Sequence, residues 1–98
     1  MSDAAIATLA RAFEHSRRTL VVAIDAFANQ NREKALQACR LEDEMDRLNL
    51  SARQGHVERL KTNSCDPEAG VLFVETLRNL ERVGDHADNI ALTVLRKT

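Results

Sequence analysis

Apolar residues recur at helical spacing along almost the whole chain. From residue 3 to about residue 28, Ile6, Phe13, Leu20 and Phe27 fall at every seventh position, with Leu9, Ala10 and Ile24 beside them. Such a stripe is the seam a helix turns toward its neighbours in a bundle, and Ser2 stands where an N-cap is needed. The stretch ANQN interrupts the pattern, and Asn31 can cap a second helix over about 32–62. There Ala38, Leu41, Met45, Leu48 and Ala52 form the stripe, and Gly55 marks a place for a break near SARQG. Asp66 as N-cap with Pro67 at the first helical position starts a third helix over about 67–96. Its stripe is Phe73, Leu77, Leu80, Gly84, Ala87, Ala91 and Val94, and Gly84 on that stripe implies a close approach to a neighbouring helix. Short connections make successive helices antiparallel. The pattern therefore predicts an all-α, up-down-up three-helix bundle, one domain over 1–98.

Composition narrows the function classes. The chain has 98 residues and a net charge of -1, so no basic surface for nucleic acid is expected. The longest apolar run, TLVVAI, is too short to span a bilayer, and the amphipathic N-terminus does not resemble a secretory leader. The expected setting is cytoplasmic, either free or at the inner membrane face as the tail of a transporter. Cys39 and Cys65 would be more than about 30 Å apart on a continuous helix, whereas a disulfide needs Cα atoms within about 7 Å. Both are expected to be reduced thiols. Leu36, Leu50 and Val57, with Val71 and Val74, form apolar surface beyond the minimal core. It is either buried against the first helix or a self-association surface.

Candidate chemistry lies in the carboxylates. LEDEMD at 41–46 and LERVGD at 80–85 both read Leu-Glu-x-x-x-Asp. With each Leu on the apolar stripe, Glu and Asp sit about 100–140° round from it, flanking the core. Reflecting the second helix onto the third about the middle of their connection puts Glu42 level with Asp85 and Asp46 level with Glu81. Asn49 and Asp88 extend the pairs. On antiparallel helices the four carboxylates either converge on the inter-helix groove or diverge from it. Converging, they would take up protons, bind arginines or hold a hard cation. Diverging, they form a solvated acidic face with Arg40, Arg47, Arg78 and Arg82 as counter-charges.

The segment HVERLKTNSCDPEAGVLFVETLRNLERVGDHADNIA, residues 56–91, resembles the PhoU family, and most of all the PhoU-like cytosolic tails of bacterial sodium/phosphate cotransporters. The likeness rests on His56, Arg59, Leu60 and Cys65, then on Leu80, Glu81, Arg82, Asp85, His86, Asn89, Ile90 and Ala91. With the motif of the second helix it covers about two thirds of the chain. It implies a three-helix repeat, of which full-length members carry two. It also implies a non-enzymatic regulator of phosphate transport and homeostasis that contacts a phosphate transporter or its own transmembrane domain. The resemblance further implies a multinuclear metal cluster (Fe, Zn, Mn or Mg) on Glu42, Asp46, Glu81 and Asp85, which requires convergence. One repeat instead of two implies a fragment, a half-length homologue, or a protomer that pairs as a homodimer to restore the doublet.

Two other readings stand beside this one. A metal-free helical interaction module needs only the apolar faces. A phosphorelay domain would use His15, in FEHSRRTL, although histidine kinases usually place an acid directly after the histidine and here Ser16 follows. His15 is expected level with residue 44, so His15 or Arg18 could reach the acidic patch from the side. His56 and His86 read as boundary and surface residues. No Glu-x-x-His pair, phosphate loop or zinc pattern is present.

Overall fold

The computed structural model describes residues 1–62 and 66–96. Among these, three helices account for nearly everything: α1 (Asp3–Asn29), α2 (Arg32–Lys61) and α3 (Pro67–Arg96). They pack pairwise into an up-down-up bundle of 51 × 16 × 16 Å. Cys65 and its place before α3 lie outside the described residues; Cys39 is a free thiol.

The helix ends follow from capping chemistry. Ser2 Oγ accepts from Ala5 N–H and Asn31 Oδ1 from Lys34 N–H, both at 3.1 Å, satisfying donors that no intrahelical carbonyl reaches. α1 stops at Gln30, which takes a left-handed conformation (φ 48°). There the N–H groups of Gln30 and Asn31 turn back to the carbonyls of Phe27 and Ala26. Asp66 Oδ2 accepts from Ala69 N–H at 3.4 Å. α2 runs unbroken through Gly55, as a single helix over about 32–62 requires, and the break that the glycine allowed near SARQG does not occur. Packing along both flanks outweighs one glycine's cost of about 1 kcal/mol.

The core corrects the reading of α1. Ile6, Phe13, Ile24 and Phe27 are 53%, 56%, 51% and 47% exposed. The residues α1 buries are Ala5, Ala12, Ser16, Thr19, Ala23 and Ala26. Ala5, Ala12, Thr19 and Ala26 also recur every seventh residue, one position behind the large residues. Two ladders therefore run side by side, and only the small one fits between helices this close. The small ladder meets Ala35, Ala38, Ala87, Ala91 and Val94 towards one end of the bundle, and Met45, Phe73 and Leu77 towards the other. Leu36, Leu50, Val57 and Val71 are exposed, so α1 does not cover that second apolar surface.

Gly84 does face α2, but the approach is ordinary. A Cβ there would meet Met45 Cγ at 3.7 Å and Glu42 Cγ at 4.0 Å, which leaves space for alanine.

Candidate functional site

Leu41, buried, and Leu80, half-buried, seat the two motifs on the core side of α2 and α3. The residues one and five positions on are thereby turned to the seam between the helices, and the carboxylates converge. Asp46, Asn49 and Arg53 of α2 line one groove with Glu81 and Asp85 of α3. Glu42 lies largely buried beside it, within electrostatic reach of Asp46, Asp88 and Asp85.

The tightest set differs from the expected four. Glu42, Asp43 and Asp46 can each present a carboxylate oxygen, all within 4.8 Å of one another. Asp43 had no place in the motif comparison, because it is a further 100° or so round α2 from Glu42 and has no counterpart on α3. The density of acids in LEDEMD was its signal. Glu81 is already partnered: Arg53 Nε donates to its Oε1 at 3.1 Å, and Nη2 donates to the same oxygen. The counter-charge is thus Arg53. Arg40, Arg47, Arg78 and Arg82 make no ion pair among the described residues.

Two electrostatic consequences follow. Burial, then the charge and hydrogen bond of Asp46, then Asp88 and Asp85, push the Glu42 carboxyl from 4.5 up to about 7. Near neutral pH the Glu42 carboxyl is therefore held partly protonated, the expected response of a buried carboxyl beside other carboxylates. The Cys39 thiol is pushed up as well, by burial first and then by Asp88. Asn49 adds an oxygen of a different kind. It is 5% exposed and lines the groove, and its Oδ1 is buried with no hydrogen-bond partner among the described residues.

The donor set tests whether a metal fits. Three carboxylates at chelating separation, further carboxylates across the seam and a buried amide oxygen lacking a donor make an all-oxygen set suited to hard cations. The residues fit such an ion on the α2 side. On the α3 side Glu81 would have to exchange Arg53 for it.

His15 is level with Glu44, as expected, with Nε2 at 3.7 Å from its carboxylate. It is not on the acidic groove, since Glu44 is about 160° round α2 from Glu42. Nε2 lies 2.8 Å from the Leu41 carbonyl and donates to it, so that nitrogen has no lone pair for a phosphoryl group. Arg18 is exposed, and the charge it acts on is Glu14. His86 is exposed, whereas His56 is buried and stacked on Phe73.

No described helix is long and apolar enough to cross a membrane. No solved structure gives a significant match. Over 73 residues the chain is 30% identical to the phosphate-specific transport system accessory protein PhoU homolog 1 of Thermotoga maritima. That similarity takes in 74% of this chain but 32% of the relative, so the chain spans about a third of the length of the protein it matches. The PhoU domain matches residues 9–94, from the first turns of α1 to the end of α3. With three helices in the expected order and the domain match across all of them, the chain belongs to the PhoU family.

Proposed function

We propose that this chain is a regulatory module of phosphate uptake and phosphate homeostasis, not an enzyme, and that it works by contact with a phosphate transporter. The transporter is either a separate protein or the membrane portion of the same polypeptide, as in the sodium/phosphate cotransporters whose tails its sequence resembles. The proposal extends to a cation-loaded α2–α3 groove. Glu42, Asp43 and Asp46 would hold the ion, with Asn49, Asp85 and Asp88 adjoining, and Glu81 joining once released by Arg53. The cation supplies positive charge that offsets the repulsion among these groups and fixes α2 against α3. The observation that carries this reading is the trio Glu42, Asp43 and Asp46, whose carboxylate oxygens lie within 4.8 Å of one another, beside Asn49, whose buried Oδ1 has no donor among the described residues.

The outward ladder of α1 supports a second element of the reading. Ile6, Phe13, Ile24 and Phe27 give one face more exposed apolar bulk than an isolated helix bundle needs. A second three-helix unit, supplied by another copy of this chain, would cover it.

Elemental analysis of protein purified without chelator tests the metal. Stoichiometric Fe, Zn, Mn or Mg, lost in a Glu42→Gln, Asp46→Asn double variant, is expected. Protein that carries none, and whose Tm none of these ions moves, refutes it. Arg53 favours a metal-free interaction module as the second reading, because it partly neutralises the groove unaided. Retention of a co-expressed transporter by that double variant would decide for it.

A further inference from the structure

At the end of the α2–α3 seam nearest the connection between these helices, a groove of about 430 Å³ is lined by Leu60, Pro67, Val71 and Val74. Leu60 and Val71 are 48% and 62% exposed there. The carboxylate groove, of about 230 Å³, is lined by Leu50 as well as by Asp46, Arg53 and Asp85. The two are parts of one seam. Gly84 against Glu42 and Met45 sets the register of the antiparallel pair. On that register Leu60 is level with Pro67, Asn49 with Arg78, and Asp46 with Glu81, so the first groove runs on into the second. Round α2, Leu60, Arg53 and Asp46 fall within about 40° of one another, and round α3, Val71, Val74 and Asp85 fall within about 60°. Both grooves therefore open on the same side of both helices.

The seam is polarised along its length. Towards Leu60 it is apolar; Glu75 and Arg78 also line that part, with opposite charges. Towards the other end it carries Glu42, Asp43, Asp46, Asp85 and Asp88, and the counter-charge across it, Arg53, is held on Glu81. From Leu60 to Glu42 the distance is about 27 Å at 1.5 Å per residue, the length of a helix of about 18 residues.

The acids beside the apolar stretch decide what can cover it. The complement is a helix whose one half presents apolar residues at i, i+3 and i+4 and whose other half presents Lys or Arg. Anionic lipid headgroups and nucleic-acid phosphates meet the wrong sign here. A second copy offers no such strip. The outward face of its α1 has apolar residues at both ends, and Arg17 in the middle is held by Glu14.

We infer that the α2–α3 seam docks an amphipathic helix of another protein, with its apolar half over Leu60 and Val71 and its basic half among Asp46, Asp85 and Asp88. This rests on the proposed contact with a transporter, because cytoplasmic segments flanking membrane helices are enriched in Lys and Arg. A basic side chain relieves the same repulsion that a cation would, so the helix enters the cation-free groove.

The test is fluorescence anisotropy with two designed helical peptides of identical composition, in chelator. One has a leucine stripe in one half and lysines in the other; the second spreads both evenly. The segregated peptide should bind at least about ten-fold tighter, and more weakly as NaCl is raised. Val71→Glu, at an exposed position, should weaken it by about ten-fold or more. Asp46→Lys with Asp85→Lys should lose it and gain a segregated peptide carrying glutamate in place of lysine, a gain that misfolding cannot produce. Equal affinity for the two lysine peptides overturns the inference, as does binding that neither variant changes. Tighter binding to anionic phosphatidylserine vesicles than to the peptide also overturns it, and so does wild-type self-association that Val71→Glu abolishes. A co-expressed phosphate transporter retained by wild type should be lost by Val71→Glu. Equal retention by both overturns this inference and leaves the transporter reading standing. Retention by neither overturns that reading, and the peptides alone then decide whether the seam is a helix-docking site.

Discussion

Glu42→Gln separates the electrostatic account of the groove from simple packing. In the metal-free protein the Glu42 carboxyl is raised from 4.5 to about 7, first by burial and then by Asp46, Asp88 and Asp85. The folded state therefore holds a proton that the unfolded state has released between those two values. The resulting stabilisation is fully present below about pH 4.5 and is lost as pH rises through about 7. At 1.36 kcal/mol per pH unit the difference is at most roughly 3 kcal/mol. Solvent on the open side of the groove reduces it to about 1–2 kcal/mol.

Glutamine has the same shape, can still donate to Asp46, and carries no charge at any pH. Urea unfolding in chelator at pH 4.5 should give wild type and variant equal stability. At pH 8.5 the variant should be more stable by about 1–2 kcal/mol. Other titrating groups cancel in the comparison. Adding Mn²⁺ or Mg²⁺ at pH 8.5 should then reverse the order, because the wild type gains a bound ion and the variant has lost a ligand. Parallel pH profiles for the two proteins would refute the claim that the carboxylates crowd Glu42. A reversal that fails to appear, with the profiles diverging as expected, would refute only the metal.

Gly84→Ala should stabilise the chain by about 1 kcal/mol, since alanine is the better helix former and the new Cβ meets Met45 Cγ at 3.7 Å. Thermal unfolding should show a rise of about 4–8 °C for a domain of this size; a fall would mean that α2 and α3 are closer than 3.7 Å implies. In a Cys65→Ser background, Cys39 should alkylate several-fold more slowly than free cysteine at pH 8, because burial and Asp88 hold its thiol protonated. Asp88→Asn should speed the reaction, and an unchanged rate would remove Asp88 from the account. Phe13→Glu with Ile24→Glu should leave helix content intact by circular dichroism and shift sedimentation from dimer to monomer. Wild-type protein that sediments as a monomer at micromolar concentration would refute the second copy.

What could be read from the sequence, and what could not, divides along a physical line. Helix number, order and ends were legible because caps and periodicity are local: Ser2, Asn31 and Asp66 act on donors three residues away. The level of Glu42 with Asp85 was legible because register in an antiparallel pair follows from loop position and rise per residue. Their convergence on one groove was a choice between two mirror arrangements that helical spacing left open. The choice of ladder on α1 was not legible. Hydrophobicity favours Ile6, Phe13 and Phe27, yet what decides is the distance between helices, a property of all three chain segments at once. The partner of Glu81 was missed for a related reason. Arg53 reaches Glu81 from about two turns along α2, and the reach of a long side chain does not show in helical spacing. These two misses bear on one another. Because alanines fill the seam of α1, the helices pack closely and the large residues are left outside. At the α2–α3 seam, by contrast, Met45 and Glu42 meet Gly84 at ordinary contact distance, and there is room for a long side chain such as that of Arg53 to cross to Glu81.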